Sequence, residues 1–283
     1  MLSRLEAAKA ATRSRSAGTD AGRSILRIAA PLFAQQQGEL LLAGQPFIVQ
    51  GMLSEALTGQ YILAQLEQVL GNRLLRVRTG AYDNPLTYAT NRQEELMTLT
   101  DYVNRCFGRG ATELIPYAAN NKLTWADSEA LHIHPPILPP PTRNSWADPS
   151  LWLGAQGSST PLHRDSSDNF CYQLFGRKRW VLYSILDEQN LYFTANPYGQ
   201  LANPLSEFAS SAVDLRQPDF ATFPLLRSAQ PLVAEIAAGD ALYLPYGWGH
   251  YAENITDSIM VNFWYELADY EPFVLSHQKQ ALS

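Results

Sequence analysis

Thr160-Pro-Leu-His-Arg-Asp-Ser-Ser-Asp-Asn-Phe-Cys-Tyr-Gln-Leu-Phe-Gly-Arg-Lys-Arg-Trp180 contains the pattern from which the architecture of this chain is predicted. It places His163 and Asp165 at the end of one apolar run, followed by a strand, a glycine turn and a second strand that carries Lys178. Residues two apart on an extended strand point to the same face. An imidazole and a carboxylate can therefore reach one metal ion together.

Composition limits the classes of protein that this chain can represent. Of its 283 residues, 46% are hydrophobic, which is ample for a core, and the formal net charge is −6. Nucleic-acid binding is not expected, because a protein that binds a phosphate backbone presents a basic surface. The arginines near the N-terminus are predicted to form a solvated helix face rather than a nucleic-acid arm. The chain has four lysines, namely Lys9, Lys122, Lys178 and Lys279.

The sequence also carries expectations about location. No apolar run approaches the roughly 18 to 20 residues that span a bilayer, and the N-terminus lacks the apolar core of a signal peptide. The two cysteines, Cys106 and Cys171, lie far apart without metal-ligand spacing, which is typical of a reducing compartment. We therefore expect a cytoplasmic protein without a membrane partner, with Cys171 as a small buried apolar side chain.

The pattern along the chain predicts a mainly β fold with flanking helices. We expect an N-terminal helical segment at 1–44, a main domain at 45–269 and a C-terminal tail at 270–283. From residue 151 onward, short strand-like runs separated by Gly, Pro, Asn and Asp predict a barrel or a double-sheet jelly roll. These strands are expected at 151–155, 162–165, 169–174, 178–184, 232–236, 241–244, 250–254 and 258–265, with an insertion at 186–230.

The first half is predicted to be more helical. Helices are expected at 24–36, 55–70 and 94–107, with Pro31 kinking or ending the first of them, and strands at 45–52 and 74–79. The Pro-rich segment 135–141 is expected to be irregular, and 82–92 is expected to frame a substrate entrance together with the insertion.

A third metal ligand is expected from a strand that is distant in sequence. His250 is the candidate, because it follows a Gly-Asp turn, a strand at 241–244 and a loop that can place it beside His163 and Asp165. Two histidines and one carboxylate on one face of an octahedron leave three positions open, as in non-haem Fe(II) oxygenases. His132, His134 and His277 are predicted to have surface or structural roles instead.

Lys178 provides a second part of such a site. An oxygenase that uses an oxo acid as co-substrate needs a cation for the distal carboxylate, and Lys178 lies on a strand next to the ligand strand. Its neighbours Arg177 and Arg179 point to the opposite face. Because a buried lone ammonium is costly, an anionic partner is expected if Lys178 points inward.

These motifs together resemble those of the JmjC-type cupin oxygenases. The residues that carry the resemblance are Thr160-Pro-x-His163-x-Asp165-x-x-x-Asn169, Gly176-x-Lys178-Arg179, Gly239-Asp240-x-Leu-Tyr-x-Pro-x-x-Trp248-x-His250 and Val261-Asn262-Phe263-Trp264-Tyr265. Within that family the chain looks most like the small hydroxylase branch that includes the asparaginyl hydroxylase of hypoxia-inducible factor. The resemblance covers 151–265 and extends more loosely back to 45. It implies a double-stranded β-helix core, Fe(II), dioxygen and 2-oxoglutarate as co-substrate.

The resemblance also implies roles for single residues. His163, Asp165 and His250 match the iron ligands, while Lys178 and Thr160 match the residues that hold the 5-carboxylate of 2-oxoglutarate. Tyr117 matches a tyrosine that reaches the same carboxylate, and Asn169 and Asn262 match side chains near the iron-bound end. Trp264 is interpreted as core packing beside the site.

Three functions follow as alternatives. The first is an Fe(II)- and 2-oxoglutarate-dependent dioxygenase that hydroxylates a C–H bond and releases succinate and CO2. The second is lysine demethylation on the same core, and the third is a cupin that binds a ligand without turnover. The substrate is left open between a protein or peptide and a small molecule, and a homodimer is possible because relatives often pair through C-terminal helices.

Overall fold

The computed structural model describes residues 4–16, 24–79, 93–108, 115–134, 148–195 and 209–265. The helices are α1 (Arg4–Ser16), α2 (Ala30–Ala43), α3 (Gly59–Leu70), α4 (Leu99–Cys106) and α5 (Trp125–Ala130). The strands are β1 (Leu26–Ala29), β2 (Phe47–Gln50), β3 (Leu74–Arg78), β4 (Glu94–Thr98), β5 (Tyr117–Lys122), β6 (Ser150–Gly154), β7 (Ser159–Arg164), β8 (Asp168–Phe175), β9 (Arg177–Tyr183), β10 (Phe193–Ala195), β11 (Ala209–Ser211), β12 (Leu232–Ala237), β13 (Ala241–Leu244), β14 (Gly249–Asn254) and β15 (Ser258–Tyr265).

Two sheets form the jelly-roll core. The larger has nine strands in the order β1-β2-β13-β8-β15-β6-β5-β3-β4, and the smaller has six in the order β10-β11-β7-β14-β9-β12. The chain alternates between the two sheets from β6 to β9 and again from β12 to β15, so β7 and β9 belong to one sheet and β8 to the other. This is the double-stranded β-helix arrangement, with flanking helices, that the sequence predicts.

The two faces of the larger sheet carry different cores. The outer face packs against the helices through residues such as Phe33, Ile62 and Phe170. The inner face meets the smaller sheet through Cys171 and Trp180, among others. Because β8 is covered on both faces, it is buried along nearly its whole length. The functional cavity opens from the inner layer.

Two helix predictions in the first half are wrong in part. At 24–36 the chain first forms β1, which pairs in parallel with β2, and α2 begins only at Ala30. Pro31 stands in the first turn of α2, where its missing N–H costs nothing, so it starts the helix instead of kinking or ending it. The predicted helix at 94–107 is β4 followed by α4, since the hydroxyl of Thr98 accepts from the backbone N–H of Asp101 and caps the helix.

The other predicted elements agree closely with the structure. All eight strands from residue 151 onward are present, as are those at 45–52 and 74–79, with ends that differ by a few residues. The predicted helix at 55–70 is a 3₁₀ turn at Glu55–Leu57 followed by α3. The insertion 186–230 is more regular than expected, since it contains β10, β11 and 3₁₀ turns in its described parts.

Several predictions lie outside the described residues. These are the irregular segment 135–141, the entrance segment 82–92, the tail 270–283 and the surface role of His277. No helix in the described ranges is long and apolar enough to cross a membrane.

Candidate metal centre

Neighbouring strands of the smaller sheet bring the predicted metal ligands together. His163 lies in β7 and His250 in β14, and the two residues are direct partners in the antiparallel register. Asp165 follows one residue after the end of β7, although the sequence placed it at the end of that strand. The ligand atoms of the three side chains all lie within 4.8 Å of one another.

Backbone hydrogen bonds set which nitrogen of each histidine faces the cluster. The Nδ1 atom of His163 lies 2.8 Å from the carbonyl oxygen of Pro161, and that of His250 lies 3.0 Å from the carbonyl oxygen of Trp248. A carbonyl oxygen only accepts, so each Nδ1 carries the proton and each Nε2 is the unprotonated nitrogen of its ring. This is how metal-ligating histidines are commonly oriented.

The spacing of the donors fits one shared ion. The Nε2 atoms of His163 and His250 each lie 3.8 Å from an oxygen of Asp165. An ion about 2.0 to 2.2 Å from each donor bridges separations of up to about 4 Å. Burial, followed by the nearby His163, lowers the pKa of His250 to about 4. The imidazole of His250 is therefore neutral at physiological pH, which is the form that binds metals.

Trp264 holds the carboxylate ligand in place. Its indole N–H donates to Oδ2 of Asp165 at 3.0 Å. The ammonium of Lys122 lies 4.3 Å from the centroid of the same indole. Sequence reasoning favoured a packing role for Trp264 and missed this contact. The sequence does contain a sign of this contact. Trp264 lies two residues after Asn262 on the same strand, so both side chains point to the same face of the sheet.

The loop that delivers His250 is anchored by Asp168. This buried carboxylate accepts from the hydroxyl of Tyr243 at 3.0 Å and from the backbone N–H of Tyr246 at 3.1 Å. The backbone N–H of Gly247 donates to the carbonyl oxygen of Asp165 at 3.3 Å. The loop between β13 and β14 is thereby tied to the end of β7, so His250 meets the other two ligands.

Lys178 is a buried ammonium that faces the cavity. The residue is 2% exposed, and burial lowers its pKa to about 8. Its nitrogen lies 3.8 Å from the sulfur of Met260, 6.0 Å from the ring centroid of Trp152 and 5.7 Å from that of Trp180. No carboxylate in the part of the chain that the structure describes lies within ion-pair distance of it. The anionic partner expected for an inward lysine is therefore not provided by these residues.

Two hydroxyl groups accompany Lys178 in the cavity. The hydroxyl of Tyr117 lies 3.3 Å from that of Thr160. Burial raises the pKa of Tyr117 to about 12, so its hydroxyl stays protonated and can donate. An ammonium and two hydroxyls in one cavity can bind a carboxylate by charge-assisted hydrogen bonds.

The two predicted asparagines form a pair on adjacent strands. Nδ2 of Asn262 donates to Oδ1 of Asn169 at 2.8 Å, and the indole N–H of Trp152 donates to Oδ1 of Asn262 at 2.7 Å. These bonds fix both amide orientations.

All eight residues singled out from the sequence line one cavity of about 340 Å³, measured with its open mouth. They are Tyr117, Thr160, His163, Asp165, Asn169, Lys178, His250 and Asn262. Its walls also include Trp152, Cys171, Trp180, Ala252, Met260 and Trp264. Cys171 is fully buried, as expected, whereas His132 and His134 are exposed and lie outside the metal cluster. The cavity thus joins a metal-binding end to a cationic, hydroxyl-bearing end.

Comparisons with known proteins agree with this arrangement. A family model described as a cupin-like domain matches residues 34–269. Jumonji C domain-containing protein 5 of Drosophila melanogaster is 30% identical over 253 residues, which cover 86% of this chain and 60% of that protein. HSPB1-associated protein 1 of Homo sapiens is 35% identical over 131 residues, 46% of this chain and 25% of that protein. JmjC domain-containing protein F of Dictyostelium discoideum is 33% identical over 132 residues, 44% of this chain and 28% of that protein. The matches therefore span between about a quarter and three fifths of these relatives.

Proposed function

We propose that this chain, which belongs to the cupin-like domain family, is a hydroxylase of the JmjC type. JmjC cupin proteins, to which it is similar, are generally Fe(II)- and 2-oxoglutarate-dependent oxygenases. The reaction converts 2-oxoglutarate, dioxygen and a substrate C–H group into succinate, CO2 and a C–OH group. One oxygen atom enters succinate and the other enters the substrate. The substrate is a protein, a peptide or a small molecule.

The observation that carries the proposal is the buried ammonium of Lys178, which has no carboxylate partner among the described residues and shares its cavity with the His-Asp-His cluster. A metal site alone is found in proteins of many functions, and a buried lysine without a partner destabilises the fold. Together they suit a ligand with a chelating oxo-acid end and a distal carboxylate. The donor set of two imidazoles and one carboxylate also suits Fe(II) with open positions.

Each residue has a role in this proposal. His163, Asp165 and His250 hold the iron, which when bound supplies the redox chemistry with dioxygen. Lys178, Thr160 and Tyr117 bind the distal carboxylate of 2-oxoglutarate and so fix its orientation. Asn169 and Asn262 lie beside the chelating end, and the Asn169 amide donates there.

The proposal is tested with the purified protein, Fe(II), 2-oxoglutarate and a pool of candidate substrates, with succinate release as the readout. We expect turnover in the wild type and only background release for Asp165→Ala, because one of the three iron ligands is lost. His134→Ala is the matched control, since that histidine is exposed and lies outside the cavity. Full turnover by Asp165→Ala would remove the proposed iron site.

The product separates the alternatives. Hydroxylation adds the mass of one oxygen atom to the substrate, whereas demethylation removes a methyl group and releases formaldehyde. Absence of succinate above background, with 2-oxoglutarate still bound, would favour the ligand-binding cupin. A place in the small hydroxylase branch with the asparaginyl hydroxylase of hypoxia-inducible factor remains part of our proposal, and an oxidised asparagine in a product peptide would support it.

The setting of the protein completes the proposal. We propose a cytoplasmic location, where the free thiols of Cys106 and Cys171 remain reduced. We also propose that it acts without nucleic-acid or membrane partners and that it forms a homodimer. Sedimentation equilibrium measures the oligomeric state, and a monomer at all concentrations would contradict the last point.

A further inference from the structure

Trp180 has a buried hydrogen-bond donor that none of the described residues accepts. The residue lies on β9 and is 3% exposed, and its indole N–H finds no partner within the described ranges. Buried tryptophans usually pair this N–H with an acceptor. A buried donor without a partner needs an explanation, and a ligand is one.

The indole lies between the two ends of the cavity. It lines the cavity wall, with its ring centroid 5.7 Å from the nitrogen of Lys178 and 6.0 Å from the ring centroid of His250. Its cross-strand partners on β14 and β12 are Ala252 and Ala234, whose small side chains leave room beside it. Trp180 therefore flanks the path from the metal cluster to the lysine.

A carboxylate can accept from one more donor group than the three already assigned. Its two oxygens offer about four lone-pair sites. Lys178, Thr160 and Tyr117 supply three donor groups at the distal end of the cavity, and the surrounding wall of Met260 and aromatic rings is apolar. Water is poorly placed to supply a fourth donor in such a wall.

We propose that the N–H of Trp180 donates a fourth hydrogen bond to the distal carboxylate of the oxo-acid co-substrate. This inference rests on the proposed function, because it requires that an oxo acid binds in the cavity. It makes Trp180 a co-substrate-binding residue rather than part of the apolar packing alone. The rival explanation is that the indole only fills space and its N–H stays without a partner in every state.

The direct test observes the indole N–H without turnover. The ¹⁵N-labelled, Zn(II)-loaded protein shows one indole resonance for each of its six tryptophans, and Trp180→Phe assigns the one that disappears. We expect that resonance to move downfield when N-oxalylglycine binds, and to stay in place when 2-oxovalerate, which lacks the distal carboxylate, is added. A resonance that ignores N-oxalylglycine, or that responds equally to 2-oxovalerate, would overturn the proposal.

Affinity provides the second measurement. We expect Trp180→Phe to weaken 2-oxoglutarate binding to the Zn(II)-loaded protein by about 10- to 100-fold, as for the loss of a hydrogen bond to a charged group, and to leave 2-oxovalerate binding nearly unchanged. Trp125→Phe is the control, because Trp125 packs against Phe263 outside the cavity. If Trp180→Phe fails to fold, the other five Trp→Phe variants assign the wild-type resonance by elimination.

The outcomes also separate this inference from the function on which it rests. A wild-type protein that binds 2-oxoglutarate while the Trp180 resonance stays in place refutes the role of Trp180 alone. A wild-type protein that binds no 2-oxoglutarate at all refutes both.

Discussion

At the scale of single residues, the orientation of Asp165 depends on one indole. Trp264 donates to Oδ2 of Asp165, so it aligns the carboxylate on which the metal cluster depends. We expect Trp264→Phe to lower Fe(II) or Co(II) affinity by about 10- to 100-fold, the range for loss of a group that orients a metal ligand. Titration followed by isothermal calorimetry measures this. Trp125→Phe should bind metal like the wild type, and an unchanged affinity in Trp264→Phe would contradict the role.

The residues that sequence reasoning found and those it missed differ in kind. His163, Asp165, Lys178 and His250 are chemically rare groups within recognisable local patterns, so the amino-acid sequence alone was enough to single them out. Trp180 could not be found in this way, because aromatic side chains on buried strands are ordinary, and the hydrogen bond of Trp264 was missed although Trp264 shares a strand face with Asn262. What makes them special is a donor without a partner among the described residues, or a partner on another strand, and both depend on tertiary geometry.

At the scale of elements, the turn between β8 and β9 requires a glycine. Gly176 has φ +70°, and a Cβ atom there would lie 1.8 Å from the backbone oxygen of Asp257. We expect Gly176→Ala to lower the free energy of unfolding by about 3 kcal/mol, from left-handed strain plus a backbone clash. Urea unfolding measures the change.

Gly51→Ala is a matched control for that variant. Gly51 has a similar φ of +63°, but no heavy atom lies within 4 Å of the position that its Cβ would take. Only the backbone strain remains, and we expect a cost of about 1 kcal/mol. Equal costs for the two variants would show that the contact with Asp257 does not matter.

The errors of prediction at this scale occur where pairing overrides local pattern. At 24–36 and 94–107 the residues suit a helix as well as a strand, because short apolar runs do not distinguish the two. β1 forms because its backbone pairs with the edge of β2, and β4 forms because its backbone pairs with β3. The strands from residue 151 onward were predictable since Gly, Pro, Asn and Asp residues separate the short apolar runs.

At the scale of the whole molecule, the site joins residues that the sequence separates widely. His163 and His250 are cross-strand partners, and Tyr117 of the larger sheet meets Thr160 of the smaller one. Contacts of the N-terminal helix extend this network, since Lys9 and Arg164 both form ion pairs with Glu188. Sequence patterns predicted the elements, but the register that aligns them follows from the packing of the two sheets.

The free energy of unfolding of the whole protein should carry the cost of Lys178. Its pKa is about 8 in the folded state and 10.5 when unperturbed. Below pH 8 the folded protein must bury the charge, so the full cost of up to about 3 kcal/mol applies. Between pH 8 and 10.5 the unfolded chain binds more protons than the folded one, so this contribution makes stability rise with pH.

Lys178→Met removes that cost together with the carboxylate-binding charge. We expect the free energy of unfolding of the variant at pH 7, measured with urea, to exceed that of the wild type by as much as about 3 kcal/mol. This difference should shrink towards pH 10. Comparing the two proteins at each pH cancels the titration of the tyrosines. The same variant should bind 2-oxoglutarate far more weakly while it keeps its affinity for Co(II). A less stable variant at pH 7 would mean that the buried ammonium does not destabilise the fold. Unchanged 2-oxoglutarate affinity would mean that it is not the counter-ion of the co-substrate. The expected result, a gain in stability with a loss of binding, is the pattern of a group that is kept for function.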